Sequence, residues 1–220
     1  MAARDSSRKL LLAKRTSDRC RCGGNREWPP SVGPILGVKI VLLIFSFSQI
    51  NFLSDLMDAD DWSSARNDGS CTVMSAYFIK LALMGHALST IGTRFEEQKG
   101  DIASLQQQGV TLHNAGLNGY DHVLSQLALN WNGNEYMQLN GNLQPGQCAL
   151  CLIKFSDRTA HTVAVLFDSP LNTVYLFDPN YGLYSFTPGT WSSDWNNFNA
   201  GLNNVYNGRI IQITFKNVSR

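Results

Sequence analysis

The chain has 220 residues, 44% of them hydrophobic, which allows one sizeable core with length to spare for an N-terminal extension. Its net charge of +1 hides an asymmetry, because residues 1–33 carry eight Lys/Arg against three Asp/Glu and the remainder carries ten against fourteen. The basic, Ser-, Gly- and Pro-containing leader reads as a flexible segment, and beyond it no basic stripe with interleaved aromatics runs along the chain, which excludes nucleic acid as the expected partner.

Residues 35–53 form the most apolar run of the chain. Its 19 residues just reach membrane-spanning length, but Lys39, Gln49 and Asn51 interrupt it. Three readings compete. A signal anchor behind a basic cytoplasmic segment suits the positive-inside bias. A signal sequence with a long basic start would be cut near Ser46-Phe47-Ser48. The third is an extension, or a helix packed on the globular part. Membrane contact through 35–53 therefore stays open. The acidic stretch Asp55–Asp61 reads as a linker, which divides the chain into a leader with its hydrophobic segment at 1–59 and a globular domain at 60–220.

The apolar run from Cys71 to Leu88 predicts a buried helix, although Thr72, Val73, Tyr77 and Ile79 favour strands, so burial must carry it. Residues 95–117, polar and Gln-rich, predict a helix–loop excursion. Asp121–Leu129 has the spacing of a short amphipathic helix, and 130–147 is rich in Asn and Gly and reads as a turn-rich connection. From residue 148 the texture changes to short β-branched and aromatic stretches between turn residues. Strands are expected at Cys148–Phe155, His161–Phe167, Thr173–Asp178, Leu183–Phe186 and Arg209–Lys216. Ser192-Ser193-Asp194 can cap a helix running through Asn204. Helices first and an antiparallel meander afterwards make an α+β domain.

Five cysteines stand at 20, 22, 71, 148 and 151, an odd number that does not suggest a disulfide framework. Cys148-Ala-Leu-Cys151 has the spacing of half a zinc site, but on a strand residues three apart point to opposite faces. Ordinary buried thiols are the expectation there, with no metal.

Three separated stretches read as one cysteine-nucleophile site: Asn67-Asp68-Gly69-Ser70-Cys71, Ala160-His161-Thr162-Val163-Ala164-Val165, and Leu176-Phe177-Asp178-Pro179-Asn180-Tyr181-Gly182. A thiol at the first turn of a helix has its anion favoured by unpaired N–H groups and the macrodipole. The backbone amide of Cys71 can help bind an oxyanion, with Asn67 as the expected second donor. If the strands holding His161 and Asp178 form a hairpin, a turn centred between Ser169 and Pro170 places the two side chains directly across from one another. Cys71 is then nucleophile, His161 base, and Asp178 the group that orients the base. His86 stands about 22 Å along the helix from Cys71, beyond reach, and His113 and His122 lie in polar, exposed contexts.

At these residues the chain resembles the YopT/AvrPphB-type cysteine proteases, bacterial effectors with a papain-like fold. The motifs are Gly69-x-Cys71 opening an apolar helix, His161-Thr-Val-Ala-Val165, and Phe177-Asp-Pro-Asn-Tyr-Gly182, and the likeness spans residues 66–186. It implies a helical part carrying the cysteine, packed on an antiparallel sheet carrying histidine and aspartate. It also implies a Cys71–His161–Asp178 triad, cleavage of a host-cell protein by a secreted enzyme delivered into that cell, and no cofactor. Anchoring through 35–53 is the alternative location, and oligomeric state stays open. Two other functions fit the same residues: acyl transfer of the transglutaminase kind, since an amine can intercept a thioester, and a non-catalytic papain-like module that binds a partner in its cleft.

Overall fold

A computed structural model of the chain describes residues 42–49, 52, 71–137, 139, 142–157, 160–186 and 209–220. The basic leader, the acidic linker, Asn67-Asp68-Gly69-Ser70 and the helix expected at 192–204 lie outside the described residues.

Among the described residues, four α-helices lie between the first and second strands: α1 (Cys71–Leu83), α2 (Ile91–Glu97), α3 (Lys99–Asn114) and α4 (Gly119–Gln126). The helix from Cys71 forms despite its β-branched residues because Val73, Met74, Phe78 and Ile79 are all at most 1% exposed, so tertiary burial outweighs propensity. It stops five residues short of the expected Leu88. Gly85 takes φ +77°, and its N–H and that of His86 close back on Ala82 and Leu81, a glycine-terminated Schellman turn. The Gln-rich stretch forms more helix than expected, α2 and α3 being broken only at Gln98. At α4 the Asn118 side chain accepts from the N–H groups of Tyr120 and Asp121, a cap of the usual kind.

The strands are β1 (Leu42–Ser46), β2 (Asn130–Tyr136), β3 (Cys148–Phe155), β4 (Ala160–Asp168), β5 (Thr173–Asp178), β6 (Gly182–Phe186) and β7 (Ile210–Ser219). They form one antiparallel sheet in the order β1-β6-β5-β4-β3-β7-β2. The five strands expected from residue 148 onward are present, the last running on to Ser219. Two others were not expected. The Asn- and Gly-rich stretch after residue 129 is no mere connection, since β2 pairs with β7 through a bulge between Asn132 and Tyr136, where Gly133 adopts φ +81°. An edge strand with one partner tolerates such weak β-formers.

The hydrophobic stretch 35–53 supplies β1, which pairs with β6, while Phe52 is buried in the core. The boundary drawn near residue 60 therefore falls after two pieces of the sheet domain. No helix among the described residues is long and apolar enough to cross a membrane.

Both faces of the sheet are covered. On the helix side Phe78 stacks on Phe177 with ring centroids 5.0 Å apart, within a cluster holding Phe47, Phe52 and Phe95. On the other side Ile153, Phe155, Val163, Val165, Leu176 and Phe215 form a second core with Leu139 and Leu143. This two-sided burial explains why β3 to β5 read as continuous apolar runs. Cys148 lies in the first cluster and Cys151 in the second, so their thiols point to opposite faces, as the strand reading requires.

Gly182 locks β1 to the sheet. It holds φ +123°, and an added Cβ would lie 2.0 Å from the Phe45 carbonyl oxygen. Gly182→Ala is therefore expected to lower the urea midpoint by the equivalent of about 2 kcal/mol or more, combining left-handed strain with displacement of β1. Gly100→Ala, in the open on α3, should raise stability by about 0.5–1 kcal/mol.

Candidate active site

Cys71 is the first residue of α1 and is fully buried. Two hydroxyl contacts tie this first turn to β4. Ser75 Oγ donates to the Thr162 carbonyl at 2.9 Å, and Thr72 Oγ1 lies 3.1 Å from Thr162 Oγ1. Thr162 is the neighbour of His161, so the clamp sets the thiol-bearing turn against the imidazole-bearing strand. None of these hydroxyls was singled out in the sequence. The available signal was polar residues at 72 and 75 in an otherwise apolar helix.

His161 and Asp178 are both fully buried, and His161 Nε2 lies 2.8 Å from Asp178 Oδ1. They meet, but not as direct cross-strand partners. The observed register pairs Phe167 with Val174 and Asp168 with Thr173, so the turn is centred between Pro170 and Leu171, one residue later than expected. Continued along the strands, this register sets Asp178 opposite Val163. His161, two residues from Val163, shares its face and reaches the carboxylate diagonally.

The carboxylate is held from the turn as well. Asn180 N–H donates to Asp178 Oδ1 at 2.8 Å, and Tyr181 N–H donates to the Asp178 carbonyl at 3.1 Å. Asp178-Pro179-Asn180-Tyr181 is thus an Asx turn with proline at its second position.

Burial alone would push the His161 imidazole down. The charge of Asp178 and its hydrogen bond, then a hydrogen bond and charge interaction with Cys71, outweigh burial and take it up to about 10. The thiol is therefore near enough to the ring to favour its charged form. With Nε2 given to Asp178, Nδ1 is the ring nitrogen left to serve the thiol. An imidazolium held this way favours a thiolate beside it at neutral pH.

The other two buried thiols have no such partner. Burial pushes Cys148 up to about 12, and burial followed by the charge of Asp178 holds Cys151 well above its ordinary value. Of the remaining histidines, His113 is exposed, while His86 and His122 are half-buried, with His122 Nε2 3.1 Å from Gln108 Oε1. A cavity of about 270 Å³ between α4, β2, β3 and β7 reaches Thr162 but includes none of Cys71, His161 and Asp178.

The structure thus brings together Cys71, His161 and Asp178, while Asn67, expected as the second oxyanion donor, is among the residues not described. The family model Peptidase_C58, described as Yersinia/Haemophilus virulence surface antigen, matches residues 86–210. That span holds His161 and Asp178 and begins after Cys71. The crystal structure of the Pseudomonas avirulence protein AvrPphB is similar to the chain with a TM-score of 0.58 at 17% sequence identity, over 76% of this chain and 100% of that one. At this identity the likeness carries the fold, helices on an antiparallel sheet in the papain-like manner. No curated protein matches the chain.

The raised imidazole has a consequence for stability. A group whose pKa is higher folded than unfolded stabilises fully below its unfolded value, about 6.5, and loses that contribution as pH rises through the folded value. The urea midpoint should accordingly fall between about pH 6.5 and 10. This slope should be missing in His161→Ala, as measured by equilibrium unfolding at a series of pH values.

Proposed function

We propose, from the premise that this chain belongs to the Peptidase_C58 family of cysteine peptidases, described as Yersinia/Haemophilus virulence surface antigen, that it is an endopeptidase whose catalytic residues are Cys71, His161 and Asp178. The observation that carries the assignment is the sealed His161–Asp178 contact of 2.8 Å, with the buried Cys71 at the start of α1 near enough to raise the pKa of the same ring.

The Cys71 thiolate attacks the scissile carbonyl carbon, forming a carbon–sulfur bond as the carbonyl π electrons move onto oxygen. The Cys71 backbone N–H, at the open first turn of α1, and Asn67 donate to this oxyanion. The imidazolium of His161 gives its Nδ1 proton to the leaving amine as the carbon–nitrogen bond breaks, leaving a thioester. Neutral His161 then takes a proton from water, the hydroxide attacks the thioester, and the thiolate leaves as the carboxyl product forms. Asp178 keeps the ring oriented and stabilises its positive form throughout. These steps need no cofactor.

The substrate is a protein. The family's description as a virulence antigen supports a host-cell protein as the target and delivery of the enzyme into the host.

The full chain and its Cys71→Ala variant, each added to host-cell extract, should differ in the protein N-termini they generate, new ones arising with Cys71 alone. Amine adducts in place of new termini would make the enzyme an acyltransferase. Identical termini from both chains would remove the proposal. Asp178→Asn should lower kcat/KM by about 10²–10⁴-fold, because an amide neither fixes the tautomer nor supports the imidazolium.

A further inference from the structure

We propose that Gln49 is a positioning residue of the peptidase. Acting through the Asn180 side chain, it fixes the turn that presents Asp178 to His161, and so makes residues 42–49 part of the catalytic domain. The proposal rests on the role given to Asp178 under Proposed function.

Gln49 belongs to the apolar stretch that reads in the sequence as an anchor or export signal, where a glutamine is out of place. In the fold its side chain is only 3% exposed. A buried carboxamide must be bonded to be tolerated, and Gln49 Nε2 donates to Asn180 Oδ1. Its backbone joins the same turn, as Gln49 N–H donates to the Pro179 carbonyl at 2.8 Å and Phe47 N–H donates to the Tyr181 carbonyl at 3.2 Å.

The path to the chemistry is short. Asn180 is gripped by Gln49 at its side chain, and its N–H donates to Asp178 Oδ1 at 2.8 Å. That same oxygen faces His161 Nε2. Rotation of the Asn180 peptide would withdraw one of the donors holding the carboxylate, and its aim at the ring would loosen. Gln49 prevents this rotation without touching His161 or Asp178.

The strand leading to Gln49 is itself fastened, since Ser46 pairs with Gly182 at the end of β1. From there the chain folds over the Asp178–Tyr181 turn. Three carbonyl or amide acceptors on consecutive turn residues, at 179, 180 and 181, meet donors from 47 and 49. That convergence on one turn distinguishes a built support from the chance packing of an edge strand.

The test uses the full chain as wild type, Gln49→Met, Asn180→Ala and the double variant. Methionine keeps the length and burial of glutamine and removes its amide. Iodoacetamide labelling of Cys71 is followed by peptide mass spectrometry across pH, with circular dichroism to verify folding. In both single variants a weakened carboxylate–imidazolium contact should move the acid limb of the Cys71 labelling profile up by about one unit. Labelling would then be about tenfold slower near pH 6 and nearly unchanged near pH 9. Because both side chains act through one contact, the double variant should be no slower than the slower single variant. Merely structural damage would slow labelling at every pH or add in the double variant, and either result overturns the proposal, as does a folded Gln49→Met with an unchanged profile. Should Gln49→Met fail to fold, Asn180→Ala decides alone on the same criterion. Wild-type Cys71 labelling no faster than Cys148 would instead overturn the triad reading itself, so the two failures are distinguishable.

Discussion

Placing a charged pair where water cannot reach it is the costliest arrangement in this domain, and His161 with Asp178 is that pair. Removing two ions from water is recovered only when the geometry is good and the remaining polar atoms are bonded, whereas losing one partner of such a pair costs about 3–5 kcal/mol. Much of the architecture answers to this constraint. The Asx turn supplies a backbone donor to the carboxylate, β4 and β5 bring the two residues together diagonally, and the apolar second core walls the face they share. The strong field that results is also what sets one thiol apart from the others. Cys71 raises the pKa of the ring beside it, while Cys148 and Cys151 are held in their neutral forms by burial.

The candidate site residues were legible because each carried a local signature. A glycine and serine before Cys71, a β-branched run after His161, and a proline and glycine following Asp178 all mark element boundaries. The fold class followed from the change in texture at residue 148. The hairpin register was read one residue early. Asp168-Ser-Pro-Leu-Asn172 admits either centre by composition, and the structure places Asn172 at φ +46°, a left-handed position that asparagine tolerates and that fixes the later one. The pairing survived because a one-residue move of the turn preserves which face each side chain occupies when both strands shift together.

The two unexpected strands share one cause, which is that partners distant in sequence decided the outcome. Asn130–Tyr136 has almost no intrinsic strand preference and becomes β2 only because β7 lies beside it. Leu42–Ser46 has the hydrophobicity of a membrane segment, yet its use is as an edge strand on β6. Here the clue was present in Gln49 and Asn51, which interrupt the apolar run. Gly85 marked the end of α1, and its positive φ shows that the glycine signal should have outweighed continuing hydrophobicity.

The strand order holds a consequence for synthesis. Among the described residues β7 follows every other strand in the chain, yet it sits between β3 and β2, and β2 has no other neighbour there. While the polypeptide is leaving the ribosome, β3 has an unfilled edge and β2 has nothing to pair with until β7 emerges. Such long-range closure is slow and leaves strand edges exposed in the interval. Until β7 arrives, those open edges are free to pair with a wrong strand.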